Sequence, residues 1–216
     1  MKQLFSLDSK FMQMLMTLGD YIIFNILFLV CCVPIVTIGA AKSALYRVMF
    51  EMLEDNGGLY KKFFKCFVKD LKTTIPLFLV KGGVTLFLCW DLWLIFNNKL
   101  PIGSAMFVIA VFLFLLLWAV AFSSVGAQVA MFQSTFKQYL LNGIYIAITQ
   151  PWRALAVGVM DIFPIVFYLL DPVLMMVFGP LWLFLYFSVT VNLSTRLWKK
   201  PFEGYIRNAE EQGKKR

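Results

Sequence analysis

Two ionisable side chains stand where they are most costly to keep: Lys81 and Asp161 each interrupt a run of apolar residues. A charge within hydrocarbon must face a bundle interior, find a partner or reach an interface. Asp20 and Asp91 also fall in or beside such runs, but toward the ends, where hydration is close at hand. Counted from Thr74 and Trp152, where their runs begin, Lys81 and Asp161 lie roughly 10 Å and 13 Å along at about 1.5 Å per residue. Matched depth and opposite sign predict an intramembrane ion pair between them. Two unlike charges fit a structural clamp better than a proton relay, which needs a chain of titrating groups, and a substrate or ion site is the sharper alternative.

Other chemistry is poorly supplied. The chain has no histidine, hence neither the commonest metal ligand nor the usual base near neutral pH. Its four cysteines, Cys31, Cys32, Cys66 and Cys89, form no CxxC pair, and three of them sit in apolar runs where cysteine serves as a small hydrophobe. No phosphate-cradling P-loop is present, so the chain is not an ATP-hydrolysing subunit. No nucleophile stands with a partner base. The expectation is a protein without a catalytic centre, metal or cofactor.

The elements that position these residues are apolar helices. Residues of the apolar types make up 61% of the chain and phenylalanine alone occurs 23 times, more apolar surface than a soluble domain of this length can bury. Five stretches are long enough to cross about 30 Å of hydrocarbon. They run from Met12 to Val36, Thr74 to Phe96, Ile102 to Met131, Pro151 to Asp171 and Val173 to Trp198, the last kinked at Gly179-Pro180. The expected fold is therefore an all-α, polytopic transmembrane bundle of about five spans, a single domain over residues 1–216. The first span lacks a cleavage site and is expected to stay attached. Lysine and arginine crowd residues 42–72, Lys137, Arg153 and the basic tail 199–216, whereas Lys2, Lys10 and Lys99 lie on the other face. With positive loops retained inside, the N-terminus is expected outside and the C-terminus in the cytoplasm. A weak internal repeat relates residues 12–96 to 102–171: Thr37-Ile38-Gly39-Ala40 is echoed by Ser124-Val125-Gly126-Ala127, and each is followed by an amphipathic stretch and a proline, Pro76 or Pro151.

Two segments carry more specific information. Pro34, Thr37, Gly39, Ala40, Ala41 and Ala44 form a small-residue patch that reads as a helix-packing motif, as do Ala119, Ser123 and Ala127. Between the first two spans, Tyr60, Phe63, Phe64, Phe67 and Leu71 share one helical face, with Lys61, Lys65, Lys69 and Lys72 largely on the other. That is the pattern of a cytoplasmic interfacial helix, apolar face in the headgroup boundary and lysines on anionic lipid, each lysine contributing about 1 kcal/mol near the surface. Nucleic acid is not an expected partner, because the aromatics of the same segment favour the bilayer. The surface of such a helix could equally dock another membrane protein or a cytoplasmic subunit.

The run Pro34-Ile35-Val36-Thr37-Ile38-Gly39-Ala40-Ala41, continuing to Ala44-Leu45-Tyr46, resembles the signature segment of the YesL family of bacterial membrane proteins, a domain of unknown function. Asn25, the Asp55-Asn56-Gly57-Gly58 turn, the Phe63-Phe64-Phe67 segment and the stretch from Lys137 to Pro151 extend the likeness. Ala40 stands where many relatives have proline, and Phe28 near a common tryptophan. The resemblance implies a bacterial cell-membrane protein encoded beside carbohydrate importers of the ATP-binding-cassette (ABC) type, and it implies no catalytic residue. The expected function is a noncatalytic accessory component packed against the permease subunits of a sugar importer. An independent small channel or transporter using the Lys81 and Asp161 region is the alternative.

Overall fold

Backbone polar groups in lipid must be satisfied within their own segment, so apolar runs of this length fold as helices. The computed structural model describes residues 10–53, 59–97, 105–170 and 172–214, and every regular element among them is helical. In chain order they are α1 (Lys10–Cys31), a 3-10 turn (Ile35–Thr37), α2 (Ile38–Met52), α3 (Leu59–Phe96), α4 (Ala105–Ser123), α5 (Val125–Met131), α6 (Phe136–Thr149), α7 (Pro151–Leu170), α8 (Pro172–Leu181), a π-helical stretch (Trp182–Tyr186) and α9 (Phe187–Lys214). Among the described residues, three stretches are long and apolar enough to cross a membrane: Met14–Cys31, Leu59–Ile95 and Phe107–Met131. They mark a membrane-embedded, all-helical protein. The expected fourth and fifth spans coincide with α7 and with α8 to α9; Asp171 and the Asp55 to Gly58 turn lie outside the described residues.

The centre of the bundle is α2, a segment that charge counting places in a cytoplasmic connection. Ala40, Ala41, Ala44, Leu45, Tyr46, Val48 and Met49 are completely buried. Helix α2 lies antiparallel against α3: Gly39 abuts Thr74, Ser43 meets Asp70, and Glu51 meets Lys62. Helix α1 meets the first turns of α3. Asp20 accepts a hydrogen bond from Tyr60, and the Phe24 ring neighbours those of Tyr60 and Phe63. Phe28 shares a cavity with Leu77 and Phe78. The fifteen residues of α2 return through the bundle between α1 and α3.

The basic segment is corrected too. It is not a separate interfacial helix but the first half of α3, whose 38 residues extend about 57 Å. Pro76 sits inside this helix on an exposed face instead of opening a new one. Phe63 is fully buried against Phe24, and Phe67 packs on the same core, because the bundle competes for these rings with the headgroup region. Phe64 and Val68 remain exposed beside Lys61, Lys65, Lys69 and Lys72, leaving an outward strip that is half basic and half apolar.

Candidate functional site

A break between α1 and α2 builds the site. Proline at position 34 cannot extend α1, and the Thr37 hydroxyl lies 2.6 Å from both the Cys31 and Pro34 carbonyl oxygens, offering its one hydrogen to the Cys31 acceptor that the helix end would otherwise orphan, while Pro34 already accepts from the Thr37 N–H. Pro34 itself stays exposed. Immediately after, Gly39 lets α2 close on α3: a methyl group there would stand 3.3 Å from both the Cβ and the carbonyl oxygen of Thr74. Gly126 of α5 plays a similar part against the Tyr46 ring, at 3.2 Å. The motif residues Ala40, Ala41 and Ala44 are all at full burial behind this contact, as small-residue packing in lipid predicts.

Close approach of α2 brings Lys42 into the bundle, where its ammonium lies 2.6 Å from Asp161 Oδ2 on α7. Asp161 thus pairs with a lysine that sequence reasoning assigned to the cytoplasm. Lys81 lines the same cavity but makes no ion pair among the described residues. The physical reason is the path of α2, which puts Lys42 within direct reach of α7. A signal for this existed in the sequence: Lys42 is the lone charge within Gly39-Ala40-Ala41-Lys42-Ser43-Ala44, and a patch built for close packing carries whatever stands in it into the interior. Lys42 also lies 6.0 Å from the Tyr46 ring centroid, at the outer limit of a cation–π contact.

The cavity shared by these charges has a volume of about 230 Å³ and is walled mainly by Phe28, Phe78, Phe122, Met160 and Phe187, with Thr74 and Thr190 as further polar groups. Its far wall is shaped by irregular helix. Pro164 in α7 has no N–H to give the Met160 carbonyl four residues back, and the Tyr186 hydroxyl donates to that oxygen at 2.6 Å. Tyr186 ends the π-helical stretch that follows Gly179-Pro180, so the kink expected there is realised as a change of helical pitch. Where the pitch returns to α, the Ser188 N–H donates to Asn25 Oδ1 at 2.9 Å, both residues fully buried. Asn25 therefore pins α9 to α1 beside the cavity.

Further polar ties surround the site at one end of the bundle. Ser43 donates to Asp70 at 2.5 Å, and Arg47 reaches the Ala130 carbonyl at the end of α5 at 2.9 Å while pairing with Glu51, which Lys62 also contacts at 2.8 Å. A second, more polar cavity of about 520 Å³ opens between Arg47, Asp70, Gln138 and Tyr139. Burial pushes the Tyr139 phenol above its usual range, and its hydroxyl donates to the Phe132 carbonyl at 2.8 Å. Among the described residues, no three cysteine, aspartate or glutamate side chains gather as metal ligands would.

Residues 21–92 match the family model described as a protein of unknown function, DUF624. That segment, a third of the chain, is similar to the domain of unknown function found in the YesL family, consistent with the resemblance read from Pro34 to Tyr46. The DUF624 segment covers most of α1, all of α2 and nearly all of α3, and so includes Asn25, Lys42 and Lys81; Asp161 lies beyond it. No curated protein and no solved structure matches the chain.

Proposed function

We propose that this chain is a noncatalytic component of a bacterial cell membrane that associates with the permease subunits of a carbohydrate ABC-type importer. The supporting observation is that Asp161, the acid set deepest among apolar residues, is taken up by Lys42 in a tie between α2 and α7, a use of part-buried charge for holding helices in register. The association with an importer draws on the family resemblance. Broad apolar faces are on offer for permease helices or lipid: Leu79, Leu86, Phe87, Trp90 and Trp93 on α3 and Ile109, Phe112, Leu113, Phe114 and Leu117 on α4 are largely exposed.

Orientation follows from charge. Lys61, Lys62 and Lys65 lie at the same end of the bundle as the Asp20 end of α1 and the Phe202 to Arg207 end of α9. The positive-inside rule puts that end in the cytoplasm, which keeps the C-terminus inside and moves the N-terminus there as well. On this topology α1 crosses, α2 returns through the bundle, and α3, α4, α7 and the α8 to α9 unit cross. Lys61, Lys65, Lys69 and Lys72 then face anionic headgroups, with Phe64 and Val68 beside them. Recovery of permease subunits with the tagged chain, extracted in mild detergent after crosslinking and identified by mass spectrometry, is the expected result; repeated recovery of the chain alone overturns the association.

A second reading, a small channel or transporter for a solute, is favoured by one observation: the cavity between α2, α3 and α7 holds Lys81 in addition to the neutralised pair.

A further inference from the structure

The charges on that cavity do not balance. Lys42 and Asp161 are in contact at 2.6 Å and cancel, while Lys81, which also feels Asp161, contributes a second cation that makes no direct ion-pair contact among the described residues. Around it the wall is aromatic and aliphatic, drawn from Phe78, Phe122, Leu77 and Phe187, with the hydroxyls of Thr74 and Thr190 on the same surface. A cation in a partly open, mainly apolar cleft is costly unless an anion joins it. Size limits the anion. A cavity of 150 Å³ accommodates benzene, so about 230 Å³ holds a body of about nine non-hydrogen atoms.

We propose that the cavity binds a small amphipathic monoanion, its acidic headgroup on Lys81 and its apolar body against Phe78, Phe122 and Phe187. The proposal rests on the reading of this cavity as a ligand site and adds the class of ligand. Lys42, held by Asp161, keeps the site from taking a dianion: only one positive charge is left over, and Asp161 repels a second negative one. The apolar wall likewise disfavours a bare inorganic ion, which would leave aromatic surface uncovered. The same chemistry is offered by a free carboxylate and by the headgroup and proximal chain of an acidic lipid.

The test uses the full chain in nanodiscs of neutral phosphatidylcholine, with octanoate and 1-octanol as probes in titration calorimetry. Octanoate is expected to bind saturably at one site, roughly tenfold or more tighter than octanol, because one charge-assisted contact separates them. Lys81→Gln should abolish that difference and Lys81→Arg should preserve it. Should Lys81→Gln fail to fold, the contrast between the two probes on the unsubstituted chain decides alone. Loss of octanoate binding in nanodiscs containing phosphatidylglycerol supports the site with lipid as the source of the anion, and undiminished binding supports it with a free anion. Equal binding of octanoate and octanol overturns the inference while leaving a ligand cavity in place; no binding of either overturns both.

Discussion

Removing the Asp161 carboxylate is the most informative single change to the bundle. At 2.6 Å from Lys42, and with an effective dielectric of about 20, the gross attraction is roughly 6 kcal/mol. The two side chains keep 23% and 27% of their exposure, so solvent screening and the desolvation of both ions offset most of that figure, leaving a coupling of about 2 kcal/mol. Asp161→Asn strands two lysines on one cavity and should cost about 3 kcal/mol. Lys42→Gln should cost less, about 1–2 kcal/mol, because Lys81 lines the same cavity and can take over the carboxylate. The double variant should recover most of the difference. Reversible unfolding of the four proteins in one mixed-detergent titration measures the cycle, and a parallel cycle with Lys81→Gln should give a smaller coupling. Additive losses for Lys42 and Asp161, or a larger coupling for Lys81, would refute the assignment of the pair.

Asn25→Leu leaves the buried Ser188 N–H without its acceptor and should cost about 1–3 kcal/mol in the same titration, with faster hydrogen exchange at the start of α9. Gly143→Ala should lower stability by about 1–3 kcal/mol, since its methyl group would meet the Ala121 carbonyl oxygen at 2.8 Å; Gly158→Ala, whose nearest neighbour would be at 3.7 Å, should be neutral or slightly stabilising. In a background with the native cysteines replaced, an impermeant thiol reagent applied to intact cells should label Asn97→Cys and spare both Lys10→Cys and Lys65→Cys. Labelling of Lys10→Cys together with protection of Lys65→Cys would restore the outside N-terminus.

The helical class and the small-residue motif were legible because both are written locally, the first in the length of apolar runs and the second in Gly39, Ala40, Ala41 and Ala44. Asn25 was legible only through resemblance; the backbone donor it serves arises from a pitch change at Trp182–Tyr186, far away in the chain. The direction of α2 was not legible. A stretch carrying Lys42, Arg47 and Glu51 reads as a solvated connection, and nothing local reveals that each of those charges meets a partner from another helix or its own. The partner of Asp161 is hidden for the same reason, since depth along a span points to Lys81 and gives no depth for Lys42, which stands outside the apolar runs. Phe63 was given to lipid because a helical face states which residues lie together and leaves open whether bilayer or bundle covers them.

Association with a permease is most directly tested by a photo-crosslinking amino acid placed at Phe87 or Leu117, each 63% exposed, with the buried Tyr46 position as control, in cells that also make a carbohydrate ABC importer. Ultraviolet-dependent adducts of the two exposed positions with a permease subunit, absent at Tyr46, are the predicted result. Adducts to lipid or to the chain itself alone, at both positions, would contradict it.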